Sequence, residues 1–158
     1  MQRIPLTPLG KVQLEEELDE LKHHKRPAVI KDIEEARQHG DLKENAEYHA
    51  AKEQQSFIEG RIQEIQGTLS VAQVIDITSI PANDRVIFGS TITVHNLSED
   101  KQHEYQIVGE DEADIKQGKL SINSPIARQL ITKSTGDLVT IEIPAGKVQY
   151  EILDVKYI

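Results

Sequence analysis

The chain of 158 residues has no cysteine and no tryptophan, a single methionine, and aromatic residues at only 4% of its length. Without cysteine there is no disulfide framework, no thiolate zinc site, no iron–sulfur cluster and no cysteine nucleophile, and a reducing, cytoplasmic setting is expected. No stretch approaches the roughly 18 apolar residues that a membrane span requires. The start, Met1-Gln2-Arg3-Ile4-Pro5, lacks the apolar core of a signal peptide, so a soluble chain without membrane association is expected. Excess positive charge is missing too: 27 acidic residues stand against 18 basic ones, net −9. Broad electrostatic attachment to duplex DNA is therefore not expected, and any nucleic-acid contact must be local. Apolar residues make up 37%, little enough to imply that part of the chain encloses a small interior. Gly-rich phosphate loops, serine elbows and HExxH patterns are all absent, so no self-sufficient active site is visible.

What is present falls into two unlike halves. From Thr7 to about Gln38 the pattern predicts one long helix, with Thr7 as cap and Pro8 at the first helical position. Leu14, Leu18, Leu21, Ala28, Ile33 and Ala36 form a narrow apolar stripe, and Pro27 should kink or interrupt it. A second helix is predicted from about Leu42 to Ala72, with Ile58, Ile62, Ile65, Leu69 and Ala72 on a heptad seam. The stripes mirror each other: Leu14 with Leu69, Leu18 with Ile65, Leu21 with Ile62, Lys25 with Ile58, Ala28 with Gln55 and Ile33 with Ala50 each have index numbers adding to 83. The chain should thus fold back between Asp41 and Leu42 as an antiparallel hairpin, Gly40 taking the left-handed conformation. A dimerising coiled coil is the alternative, although it would not require stripes mirrored about a turn.

Beyond Val74, short β-rich runs take over: Ser90 to Leu97, His103 to Val108, Asp137 to Ile143 and Val148 to Val155. Pro144-Ala145-Gly146-Lys147 should close a hairpin, and Ser124 should cap a short helix opening at Pro125. The expected fold is α+β, with a helical hairpin over 1–77 and a β-rich domain over 78–158.

The turn is where chemistry should lie. Asp41 and Glu44, three apart, could share a hard cation such as Mg²⁺, which takes oxygen ligands and few protein carboxylates. The same spacing is also that of a capping box, with Asp41 accepting a backbone N–H and Glu44 reaching back, and both readings stay open. Arg37, Lys43 and Lys52 could form a short phosphate-contacting strip or be ordinary solvated partners of nearby glutamates. His39, His49 and the pair His23-His24 lack a third ligand at zinc-like spacing and read as exposed polar positions.

The run from Ala36 to Tyr48, A-R-Q-H-G-D-L-K-E-N-A-E-Y, resembles the signature of the bacterial Gre transcript-cleavage factors. The similarity extends through Gly60-Arg61-Ile62, Ala72 to Asp76, Val108 to Asp114 and Ile122 to Arg128, nearly the whole chain. Within that family the acidic balance is nearer the GreA branch than the more basic GreB branch. The resemblance implies a β-rich domain similar in fold to FK506-binding prolyl isomerases, without isomerase activity. It further implies an accessory factor, not itself an enzyme, that enters the secondary channel of bacterial RNA polymerase and stimulates cleavage of the nascent RNA 3′ end. Carried over by position, Asp41 and Glu44 would be the catalytic carboxylates lent to the polymerase, holding a Mg²⁺ shared with it and bound weakly by the isolated chain. Arg37 and Lys52 would contact RNA, and Ser124 and Pro125 would lie in the polymerase-docking loop. A monomer is expected. The alternative within the same resemblance is a channel-binding modulator that does not stimulate cleavage.

Overall fold

A computed structural model describes residues 2–158. Two compact units divide the chain: one is built from Lys11–Ala72, the other from Arg3–Gly10 together with Gln73–Ile158.

In the first unit, helix α1 (Pro8–Glu20) leads through a π-helical turn (Leu21–Lys25) into α2 (Arg26–Arg37), and after the fold-back α3 (Ala46–Ser70) returns. The π turn answers the expectation of a kink at Pro27. A proline there has no N–H for the preceding turn, and the helix absorbs one extra residue just before it: the Arg26 N–H donates to the Leu21 carbonyl, five residues back. The insertion shifts the apolar stripe by one position. Leu14 and Leu21 are buried as expected, but the next buried residue is Val29, and Ala28 is exposed. Ile33 and Ala36 continue the stripe. On α3 the seam is Ala51, Ile58, Ile62, Ile65 and Thr68, with Leu69 half-buried; the helix ends at Ser70, short of the expected Ala72, which is half-buried beyond it. Of the mirrored pairs, Lys25 and Ala50 turn to solvent, and Ala51 takes the place expected of Ala50.

Antiparallel pairing is visible in polar contacts whose indices run in opposite senses. Glu17 takes a forked pair from Arg61 (2.7 and 2.8 Å), Glu59 a forked pair from Arg26 (2.7 and 2.8 Å), and the Ala36 carbonyl a hydrogen bond from Asn45 (2.6 Å). Such two-point guanidinium–carboxylate bonds fix geometry as well as charge. The hydrogen bond from Arg61 holds the Glu17 carboxyl below its ordinary value, and Arg26 does the same for Glu59.

In the second unit, β1 (Ile4–Leu6) pairs with β2 (Ala72–Val74), and a five-stranded mixed sheet runs in the order β5-β4-β3-β7-β6. Its strands are β3 (Thr91–Asn96), β4 (Lys101–Val108), β5 (Lys119–Ser121), β6 (Leu138–Ile143) and β7 (Gly146–Lys156). All neighbours are antiparallel except β4 and β5, and the β3–β7 register slips by one between Thr93 and Val94, leaving Leu153 of β7 as the extra residue of a bulge. Helix α4 (Pro125–Leu130) packs Ala127 and Leu130 into a core with Ile92, Val94, Ile107 and Ile152. The β6–β7 hairpin closes where expected, Ile143 pairing with Gly146, whose φ is +132°. The α+β class is as expected.

The N-terminal strand departs from the boundary expected at 77/78. Leu6 is fully buried, and its carbonyl accepts from the Ile75 N–H (2.9 Å), so residues 3–10 belong with the second unit. The first turn of α1 is tied there: Thr7 Oγ1 accepts from the Gly10 N–H (3.0 Å), as the expected cap, and donates to Glu112, which also accepts from the Thr7 and Gly109 N–H groups. A side chain at Gly10 would collide with Glu112.

Two outcomes are expected. Val29→Ala should lower stability by about 2 kcal/mol in denaturant melts, while Ala28→Gln stays within about 0.5 kcal/mol; equal effects would place the stripe in the unshifted phase. The stability that Glu17 and Glu59 contribute is fully present above the ordinary carboxylate value of 4.5 and is lost as pH falls through their lowered values in the folded chain. Melts across that acid range should therefore be less steep in pH for Glu17→Gln than for the unaltered chain.

Candidate functional site

Helix α2 ends in tightened turns, with the Gln38 N–H donating to the Glu35 carbonyl (3.2 Å) and the His39 N–H to that of Ala36 (3.1 Å). Gly40 follows at φ +112°, a conformation that costs a side-chain-bearing residue heavily, and the chain reverses as expected. Asp41 Oδ1 then accepts from the Lys43 N–H (3.0 Å), closing a turn over Leu42.

The second helix opens later than the spacing predicts. It begins at Ala46, and its cap is Asn45, whose Oδ1 accepts from the Tyr48 N–H (3.0 Å). The capping box of Asp41 and Glu44 is thereby corrected: Asn45 out-competes it as a local acceptor, leaving both carboxylates in the loop. Both are exposed, and together with His39, Asn45, Ala46 and Glu47 they line one open depression. Hard anionic oxygens in that setting suit a hard cation. Among the described residues no three His, Asp or Glu side chains group closely enough to hold a metal ion.

Of the remaining expected residues His39 lines that depression, while Arg37, Lys52, Ser124 and Pro125 do not. Arg37 is exposed in the last turn of α2, and Lys52 is exposed on α3, where its Nζ donates to Gln55 Oε1 (3.2 Å). His39 Nε2 sits 3.9 Å from Glu47 Oε2 across the two arms, and His49 Nε2 sits 3.0 Å from the Lys43 carbonyl. His23 and His24 are exposed, each 3.8 Å from an acid four residues earlier, Asp19 and Glu20. In the second unit Ser124 Oγ accepts from the Ala127 N–H (3.2 Å) as the cap of α4, while Pro125 is exposed and borders an open groove with Arg128, Gln129, Glu142 and Lys147.

Two family models account for nearly the whole chain: "Transcription elongation factor, N-terminal" over residues 4–74 and "Transcription elongation factor, GreA/GreB, C-term" over residues 81–157. The chain belongs to the GreA/GreB family of transcription elongation factors. It is 60% identical over 158 residues to transcription elongation factor GreA of Yersinia pestis bv. Antiqua (strain Angola), covering all of both chains. To transcription elongation factor GreA of Pasteurella multocida (strain Pm70) it is 59% identical over 157 residues, 99% of each. The solved structure of GreA factor homolog 1 (Gfh1) of Thermus thermophilus matches at 22% identity over 98% of this chain and 99% of that one, with a TM-score of 0.44, too low to bear on the site.

In this GreA/GreB chain the residue that sequence reasoning left without a role is Asn45. A usable signal existed, since asparagine ranks among the strongest helix caps and stands just ahead of the good helix formers Ala46 and Glu47. The competing Asp-x-x-Glu pattern drew the helix start four residues too early. Glu47 is a second addition, a third carboxylate on the same depression.

Gly40 gives the site a simple check. A Cβ there would meet open space, so Gly40→Ala should cost about 1 kcal/mol through backbone strain alone. A thermal melt unchanged by that substitution would contradict the positive φ at the turn.

Proposed function

We propose that this chain is an accessory factor that binds bacterial RNA polymerase through its secondary channel and stimulates the polymerase's own hydrolytic cleavage of the RNA 3′ end in backtracked complexes. The observation that carries the reading is the placement of Asp41 and Glu44: exposed, side by side on one depression, in the loop where an antiparallel hairpin turns. Helix α3 alone, 25 residues at about 1.5 Å each, gives that hairpin an arm of about 37 Å. An acidic loop carried on such an arm reaches a recessed centre that a compact domain would not enter.

In this reading Asp41 and Glu44 supply oxygen ligands to a Mg²⁺ shared with the polymerase, and Glu47 stands close enough to the same depression to orient a bound water. When bound, such an ion steadies the charge on attacking and departing oxygens. The chain's own contribution is delivery. A free carboxylate competes poorly for Mg²⁺, whereas one held on a docked arm acts at high effective concentration. Arg37 and Lys52, exposed on either arm near the turn, would meet the phosphates of the extruded RNA by charge, and Ser124 with Pro125 would sit at the docking surface of the second unit.

Asp41→Asn and Glu44→Gln keep size and remove charge. Each should bind stalled polymerase within about twofold of the unaltered chain yet stimulate cleavage at least about tenfold less. Full stimulation by both variants would overturn the reading. A chain whose effects on synthesis survive loss of both carboxylates would instead be a channel-binding modulator.

A further inference from the structure

Four hydrogen bonds from three side chains, Asp41, Asn45 and His49, hold the tip loop. The Asn45 amide nitrogen donates to the Ala36 carbonyl (2.6 Å) while its oxygen accepts from the Tyr48 N–H, so one side chain ties the last turn of α2 to the first turn of α3. Lys43 is gripped on both faces of its backbone: its N–H donates to Asp41 Oδ1 (3.0 Å), and its carbonyl lies 3.0 Å from His49 Nε2. A carbonyl only accepts, so the latter bond forms with the proton on Nε2. The His49 ring meets Tyr48 edge to face, centroids 5.6 Å apart at 65°.

Capping α3 requires only the oxygen of Asn45; the bond from its nitrogen to the opposite arm is an addition that the helix does not need. Nor does the helix need His49 to reach back six residues to Lys43. What these two bonds have in common is the loop between them, 41–44, which carries both carboxylates. We infer that Asn45 and His49 are positioning residues, holding the peptide between Asp41 and Glu44 so that the two carboxylates keep a set separation before any cation arrives. The inference rests on the proposed role of those carboxylates. Its physical content is preorganisation: a loop ordered in advance loses less freedom when it engages, and small misplacement of ligating groups is costly in rate.

Two substitutions in the full-length chain separate positioning from folding. Asn45→Ser keeps an oxygen for the Tyr48 N–H and removes the nitrogen that reaches Ala36. His49→Phe keeps a ring against Tyr48 and removes Nε2. Both should melt within about 3 °C of the unaltered chain, and Asn45→Ala, which also loses the cap, serves as the folding control and should melt lower. Amide ¹⁵N relaxation should show the backbone of residues 41–44 gaining nanosecond mobility in both variants. On backtracked polymerase complexes the factor concentration for half-maximal stimulation should stay within about twofold, while the maximal rate falls between about tenfold and 100-fold. Unchanged relaxation at 41–44, or an unchanged maximal rate beside an inactive Asp41→Asn, would overturn the inference. If Asp41→Asn is itself fully active, the role assigned to the carboxylates fails, and the relaxation data alone decide whether Asn45 and His49 order the loop.

Discussion

The apolar seam between the two arms of the hairpin is the constraint from which the tip follows. A helix of this polarity has little intrinsic reason to persist in water, and burial of Leu14, Leu21, Val29 and Ile33 on one arm and of Ile58, Ile62 and Ile65 on the other supplies it. Because each arm buries one face, and cross-arm bonds such as Arg61 to Glu17 and Asn45 to Ala36 pair fixed positions, the register of the seam also sets the register of the turn. The π turn at Leu21–Lys25 belongs to this logic. By taking up one extra residue ahead of Pro27 it rotates the remainder of the first arm, so that Val29 rather than Ala28 faces α3. A larger aliphatic side chain is buried there as a result.

Polar contacts refine what the seam sets coarsely. The forked pairs Glu17–Arg61 and Arg26–Glu59 bridge the arms at their flanks, where partial burial limits their net worth to about 1 kcal/mol or less for Glu17–Arg61. Nearer the turn the contacts become shorter in sequence and more specific in shape: Asn45 to Ala36, His49 to Lys43, Asp41 to Lys43. Stability thus comes mostly from the shaft and geometry mostly from the tip. That division suits a chain in which the acidic loop must be exposed and yet ordered, since exposed loops with no tertiary support are mobile.

Much of this was legible in the residues. The heptads of α3, the mirrored stripes and the glycine at the reversal specified the hairpin, because one-sided burial imposes a period that survives in the sequence. Four of the strands were readable from β-branched runs and turn residues. The misses have physical causes. A π turn leaves no periodic mark of its own, and its only trace is a phase slip that a proline made look like a break. The strands Ile4–Leu6, Ala72–Val74 and Lys119–Ser121 are three residues long, too short for alternation to show, and each is ordered by a partner distant in sequence. At the tip, Asp41 and Glu44 were identified by spacing, but their local conformation was decided by a competition among cap-forming residues that spacing does not resolve. Asn45 won it, and the carboxylates were left free in the loop.

The functional reading stands on the tip meeting the RNA 3′ end inside a partner's centre. The most direct measurement is photocrosslinking from a benzophenone side chain at Leu42, an exposed position between the two carboxylates, in polymerase complexes backtracked on labelled RNA. The expected result is a crosslink to the terminal nucleotides of the extruded RNA, absent when the same group is placed at exposed Leu138 on the second unit. A crosslink from Leu138 but none from Leu42, in complexes where the factor is bound, would contradict it.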